Sequence, residues 1–223
     1  MKELMLAICF LSMGSLGWAQ SAPPLGSAQT FAVLGASTVT NTGPTVITGD
    51  LGVSPGTAVT GFPPGKVSGG TIHAGDATAT AAQAAAHTAY ANLVAQPCGT
   101  NLTGKTLGTS PGAATLSPGV YCFNTSAQLT GTLTLNGSGV YVFKMGTTLT
   151  TASNSSVVLA KGATAGNVFW QVGSSATLGT NSVLIGSILA NISDTVTTGT
   201  SVTGRVFALT GAVTLASARV ARP

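Results

Sequence analysis

An apolar residue followed by threonine recurs along the chain with a step near twenty. From residue 120 onward the pair stands at Leu129-Thr130, Leu149-Thr150, Ala176-Thr177, Val196-Thr197 and Val213-Thr214, with steps of 20, 27, 20 and 17 residues. The same pair stands at Val39-Thr40 and Val59-Thr60, again 20 apart. Upstream of the later pairs lie β-rich runs: VYCF from Val120, VYVF from Val140, NVFWQV from Asn167 and GRVFAL from Gly204. Gly, Asn and Ser separate these runs. Short strands repeated at this period with Gly-marked corners predict a β-solenoid of irregular coils. The long step contains LAKGATAGN, Leu159 to Asn167, which reads as an inserted loop. The stretch from Gly43 to Gly70, with GPT, SPG and GFPPG, reads as turns and a surface loop.

One segment breaks the period. Asp76 to Gln96 is dominated by Ala, opens on a good N-cap and is stopped by Pro97. It predicts one α-helix over about 77–95. Its Ala-rich face allows close approach to a flat sheet, with Thr, Gln and Asn on the outside.

The first residues carry a different pattern. Lys2 precedes an apolar stretch, Leu4 to Leu16, that is short for a membrane span, and Gly17-Trp18-Ala19 offers small residues at a cleavage site. Residues 1–19 are therefore expected to be a secretory signal peptide. Residues 20–223 are expected to form a single domain, extracellular and monomeric, with no membrane contact after cleavage. Cys98 and Cys122 then remain as an even pair in an oxidising compartment, and a disulfide between them is expected.

Charge excludes several functions. Only 5% of residues are charged, against about 25% in an ordinary soluble protein. The bases are scattered, with no run or stripe, so the net charge of +4 does not make a nucleic-acid footprint. Past the leader the acids are Asp50, Asp76 and Asp194. Asp50 reads as turn chemistry, Asp76 as the helix cap and Asp194 as a solvated residue beside a Thr pair. No two of them fall on one repeat column, so the paired carboxylates of a glycosidase are missing. His73 and His87 read as a polar residue before the helix and an outward or half-buried one on it. No nucleophile set, zinc motif or nucleotide fingerprint appears. The chain reads as a non-enzyme without cofactor or metal.

Because a strand alternates its faces, inward Leu129, Leu149, Ala176, Val196 and Val213 turn their neighbours outward. Those neighbours include Thr130, Thr148, Thr150, Ser175, Thr177, Thr195, Thr197 and Thr214. Coils stack about 4.8 Å apart and alternate residues on a strand lie about 6.7 Å apart, which makes a lattice of hydroxyl and methyl groups. Such a Thr ladder also stabilises a sheet by cross-strand contact alone. Two outward columns, secretion and scarce charge together favour a surface that orders water. Trp170 and Tyr141 lie in apolar strands and read as core, which leaves a carbohydrate platform without its aromatics.

The segments LGSAQTFAVLGASTVTNTGPTVITGDLGVSPGTAVTGFPPG, GTIHAGDATATAAQAAAHTAYANL, LSPGVYCFNTSAQLTGTLTL, GTTLTTASNSSVVL, NVFWQVGSSATLGTNS and GRVFALTGAVTL together resemble the microbial ice-binding proteins. The resemblance runs from Leu25 to about Leu215. It implies a mainly β fold, a discontinuous right-handed β-solenoid with one long helix alongside, and an activity of adsorption to ice through one flat face. Some members carry a Thr-Ala/Gly-x-Thr/Asn motif at the edge of that face. Thr151-Ala152-Ser153-Asn154 matches it, while Leu178-Gly179-Thr180-Asn181 departs at its first position and Thr198-Gly199-Thr200-Ser201 at its last. The resemblance therefore adds Thr151, Asn154, Thr180, Asn181, Thr198 and Thr200 to the expected site. Arg205, Arg219 and Arg222 would interrupt the face if they pointed into it. The alternative reading is a non-enzymatic extracellular surface or adhesion module. A carbohydrate-active enzyme is the third, weakened by the scarcity of acids.

Overall fold

The computed structural model describes residues 20–223, so the leader predicted over residues 1–19 lies outside the described residues. The chain winds as a three-sided coil in which every strand pair is parallel. One side is an eight-stranded sheet. In spatial order its strands are Ala58–Thr60, Thr38–Thr42, Val213–Ala216, Asp194–Val196, Ala176–Leu178, Leu149–Thr151, Ala127–Leu129 and Thr106–Leu107. The other two sides share two long strands, Val183–Ala190 and Ser201–Ala208. These bend from one side to the other at the paired residues Gly186 and Gly204. At Gly186 the backbone has φ of 110°, and a Cβ would lie 2.6 Å from the Val168 carbonyl oxygen, so the bend requires glycine.

The order of coils is not the order of sequence. The strand Thr38–Thr42 pairs with Val213–Ala216, so the N-terminal coil stacks on the C-terminal one. The chain reaches the far end of the stack through the helix Ala77–Ala95. Nineteen residues span about 28 Å, close to the roughly 34 Å of eight stacked strands. The segment from Gly43 to Gly70 accordingly contains the strands Val46–Thr48, Asp50–Val53, Ala58–Thr60 and Lys66–Ser68. It is a coil of the solenoid, not the surface loop its Gly and Pro content suggested. The insertion at 159–167 is a corner with a short 3-10 helix, Ala165–Asn167.

The helix begins where expected because the Asp76 carboxylate accepts a hydrogen bond from the Ala79 N–H at 2.8 Å. It buries Ala79, Ala82, Ala86, Ala89 and Leu93 against the helix side of the coil, beside Phe31, Phe169 and Phe207. Gln83 departs from the expected outward position. It is buried and donates to the carbonyls of Ala208 and Leu209, and the Leu209 carbonyl also lies 3.1 Å from the His87 Nε2. Lys144 donates to the carbonyls of Val94 and Gln96 at the other end. Cys98 and Cys122 form a disulfide there, with Cα atoms 5.9 Å apart.

The inside of the coil is filled by ladders of like residues. Tyr121, Phe143 and Trp170 stack on successive coils with centroids 5.5 and 4.1 Å apart. Trp170 and Tyr141 are fully buried, as the sequence suggested. The Trp170 Nε1–H donates to the Ile185 carbonyl at 2.9 Å, which satisfies the indole in the core.

Candidate functional site: a hydroxyl-bearing face

The eight-stranded side carries one outward column from end to end: Thr60, Thr40, Thr214, Thr195, Thr177, Thr150, Gln128 and Thr106. Thr60, Thr150, Thr177 and Thr214 are exposed and the other threonines are half-buried. Thr40 and Thr214 touch through their hydroxyls at 3.5 Å. The inward neighbours along the column are Val59, Val39, Val213, Ala176, Leu149 and Ala127, with Asp194 among them. Small residues flank it on both sides. Thr148, Ser175, Ser193 and Ala212 are on one, and Thr130, Ala152, Gly179, Thr197 and Ala216 on the other. Apart from Gln128 near one end, short side chains at these outward positions keep the surface level.

The flanking hydroxyls differ from the central ones in what they bond. The Ser193 Oγ accepts from the Ala212 N–H and the Ser175 Oγ from the Ser193 N–H. Thr197 donates to the Leu178 carbonyl at 2.7 Å. These hydroxyls hold the coils together and fix the edges of the face. The central column presents its hydroxyls and methyls outward.

No charged side chain occupies the three outward columns among the described residues. Lys105 lies at the terminal coil, where its Nζ donates to the Pro111 carbonyl. Arg205 is on the helix side and Arg219 on the third side, so neither interrupts the face. Arg222 follows the third-side strand Arg219–Ala221. The other two sides are unlike this one. The helix covers the first, and the third carries Lys66, Val46, Arg219, Ser201 and the exposed Val183 in one column.

The structure places the expected site residues in three groups. Thr150, Thr177, Thr195 and Thr214 form the central column, and Thr130, Thr148, Ser175 and Thr197 flank it. Asn154, Thr180, Asn181 and Thr198 are exposed at the corner beyond the face. Thr151 and Thr200 are not on the surface, being 3% and 1% exposed. Thr151 points inward opposite Leu178, where its Oγ1 accepts from the Gly179 N–H and donates to the Ser182 Oγ. Thr200 donates to the Gly179 carbonyl. Both close the corner from inside.

The corner motif has a backbone reason. Asn154, Asn181 and Gly199 have φ of 60°, 56° and 74°, and their N–H groups bond the carbonyls of Thr180, Thr198 and Ser217. Asn tolerates the left-handed conformation that each coil needs there. Register aligns Leu178 with Val196, so Val196-Thr197-Thr198-Gly199 is the third copy, two residues before the segment read from sequence.

A similar slip affected the repeat itself. Leu129 and Val196 lie level with Thr151 and Leu178, whereas Leu149, Ala176 and Val213 lie one inward position earlier. A slip of two preserves which side faces out, so the outward set survived. The sequence reading left out Thr40, Thr60 and Thr106. Val39-Thr40 and Val59-Thr60 carried the right signal, but only the stacking of first coil on last puts them on this face.

Asp194 corrects another expectation. It is 2% exposed, and neither carboxylate oxygen has a hydrogen-bond partner. Burial pushes its pKa well above the usual carboxylate range. The remaining titratable pair, His73 Nδ1 and Asp76 Oδ2 at 2.7 Å, sits at the exposed start of the helix. Hydrogen bonding by the Ala79 N–H, then by His73, lowers the Asp76 pKa.

A family model described as Ice-binding-like matches residues 33–221. An ice-binding protein of Nostoc sp. (strain HG1) is 50% identical over 222 residues, covering 97% of this chain and 80% of that one. The crystal structure of an ice-binding protein from the Antarctic ascomycete Antarctomyces psychrotrophicus superposes with a TM-score of 0.84 at 40% identity, over 91% of this chain and 99% of that one. An ice-binding protein from an Antarctic biological consortium gives 0.86 at 40% identity, over 92% and 93%.

Proposed function

The chain belongs to the Ice-binding-like family, and on that premise we propose that it is a secreted protein that adsorbs to ice through the threonine face. The observation that carries the reading is the outward column running unbroken across all eight strands of an uncharged, uncovered side. Methyl groups at fixed spacing hold water in cages and hydroxyls anchor it. Water so arranged freezes into the crystal front without being reorganised. A charge would orient its hydration shell and disrupt that order.

Adsorbed molecules pin the front, and ice growing between them must curve. Curvature lowers the freezing point locally, which halts growth and slows recrystallisation. Nothing in this action needs proton transfer or a cofactor, and the protein acts as a non-enzymatic monomer outside the cell. No helix among the described residues is long and apolar enough to cross a membrane. Ice-affinity partitioning tests the function directly. The purified protein concentrates in a slowly grown ice fraction while an added inert protein stays in the liquid. Exclusion from the ice would favour the surface or adhesion module instead.

A further inference from the structure

One position on the central column differs in size from all the others. Gln128 stands in register between Thr150 and Thr106, next to the last coil of the stack. From the other end, Thr60, Thr40, Thr214, Thr195, Thr177 and Thr150 follow one another without interruption. Gln128 is exposed, and no long side chain stands beside it on the column. Along its own strand the next outward residues are Ser126 and Thr130, both short. The break in the level surface therefore comes from this one side chain.

A threonine side chain ends at its γ atoms. Glutamine continues for two more bonds of about 1.2–1.5 Å each. That reach approaches the roughly 2.7 Å between hydrogen-bonded oxygens, so an extended amide passes through the layer of water that the threonines order. Its two N–H donors and its carbonyl oxygen hold water in directions set by a mobile side chain, not by the sheet. Seating ice over it also costs the entropy of its rotamers. Six rows of threonine at the stacking distance of strands span about 24 Å, and all eight rows would span about 34 Å. Thr106, the last row, lies on the far side of the obstruction.

We propose that Gln128 sets the boundary of the ice-docking patch: ice seats on the run from Thr60 to Thr150, and the Gln128 amide holds it off the last two coils. This rests on the reading of the threonine face as the ice-binding surface. Within that reading Gln128 is a specificity-determining residue, since it fixes how many rows of the lattice meet the crystal.

Thermal hysteresis is recorded at equal molar concentration for the wild type and four variants, with folding checked by circular dichroism. Gln128→Thr raises it about twofold, because two more rows spaced about 4.8 Å apart join the contact. Gln128→Ala, which removes the reach without adding a hydroxyl, raises it by less. In Gln128→Thr/Thr106→Tyr the gain disappears, because the last row is blocked again. Thr150→Tyr lowers hysteresis several-fold, since this row lies inside the boundary. If the double variant does not fold, the two single changes at Gln128 still decide the matter. Unchanged hysteresis in Gln128→Thr, a fall in Gln128→Ala, or a gain that survives Thr106→Tyr would overturn the boundary. Full activity in Thr150→Tyr would instead overturn the threonine face itself, and the boundary with it.

Discussion

Asp194 stands directly opposite Val213 on the neighbouring coil, and its carboxylate takes the inward position that the valine side chain takes there. Ala176 fills the same position on the other neighbour. The carboxyl is therefore held under the threonine face, among apolar groups and without a partner for either oxygen. The folded-state pKa is raised above the ordinary 3.8. The stability this group contributes is fully present below 3.8 and is lost as pH rises from there through its folded value. The thermal midpoint of the wild-type protein should thus fall over that window. Asp194→Val should remove that component of the pH dependence and stabilise the protein at neutral pH by about 1–4 kcal/mol, the range for replacing buried charge with apolar volume. Melting curves of both proteins across acid to neutral pH check this. Asp76 has the opposite sign, since its folded pKa is lowered and its contribution disappears as pH falls. It is present in both proteins and cancels from the difference.

The Cys98–Cys122 bond closes a loop of 24 residues and joins the end of the helix to the coil. By the chain-entropy relation it stabilises the fold by about 3 kcal/mol. The double variant Cys98→Ser/Cys122→Ser should unfold at lower denaturant concentration by that amount. At low temperature it should keep its ice activity, because the bond lies away from the threonine face.

Phe143 lies between Tyr121 and Trp170 in the aromatic ladder. Phe143→Ala opens a cavity that the stiff neighbouring coils cannot close, at a cost of about 3–5 kcal/mol. Trp170 is the sole tryptophan among the described residues, and its emission should shift to the red in this variant. Chemical denaturation followed by that emission measures both effects.

Much of the fold is written locally. The helix Ala77–Ala95 is legible because Asp76, the alanines and Pro97 act within one segment. The outward direction of Thr150 and Thr177 follows from strand alternation alone. Column membership is different. Leu129 and Val196 share their alternation with Leu149 and Val213, and only the hydrogen-bond ladder shows that they belong two residues further along. Thr151 and Thr200 stand in stretches of Thr and Ser where polarity carries no inward signal. Their burial depends on bonds to Ser182 and Gly179 from other coils. Asp194 reads as solvated because nothing in Ser193-Asp194-Thr195 announces a core position.

The discontinuous stack has a consequence for the site. Thr40 is distant in sequence from Thr214 but contacts it on the face. Thr40→Tyr should lower thermal hysteresis several-fold, as a substitution within the later repeats would, while circular dichroism stays that of the parent. Wild-type hysteresis in this variant would confine the site to the later coils.

The most direct measurement compares one bulky side chain on two sides of the coil. Thr177 lies at the middle of the central column, and Thr203 is exposed on the third side. Thermal hysteresis and ice-crystal shape are recorded for Thr177→Tyr and Thr203→Tyr at equal concentration, with folding checked by circular dichroism. Adsorption through the threonine face predicts a several-fold loss and altered crystal shape in Thr177→Tyr, with Thr203→Tyr indistinguishable from wild type. Full activity in Thr177→Tyr, or a loss confined to Thr203→Tyr, would contradict it.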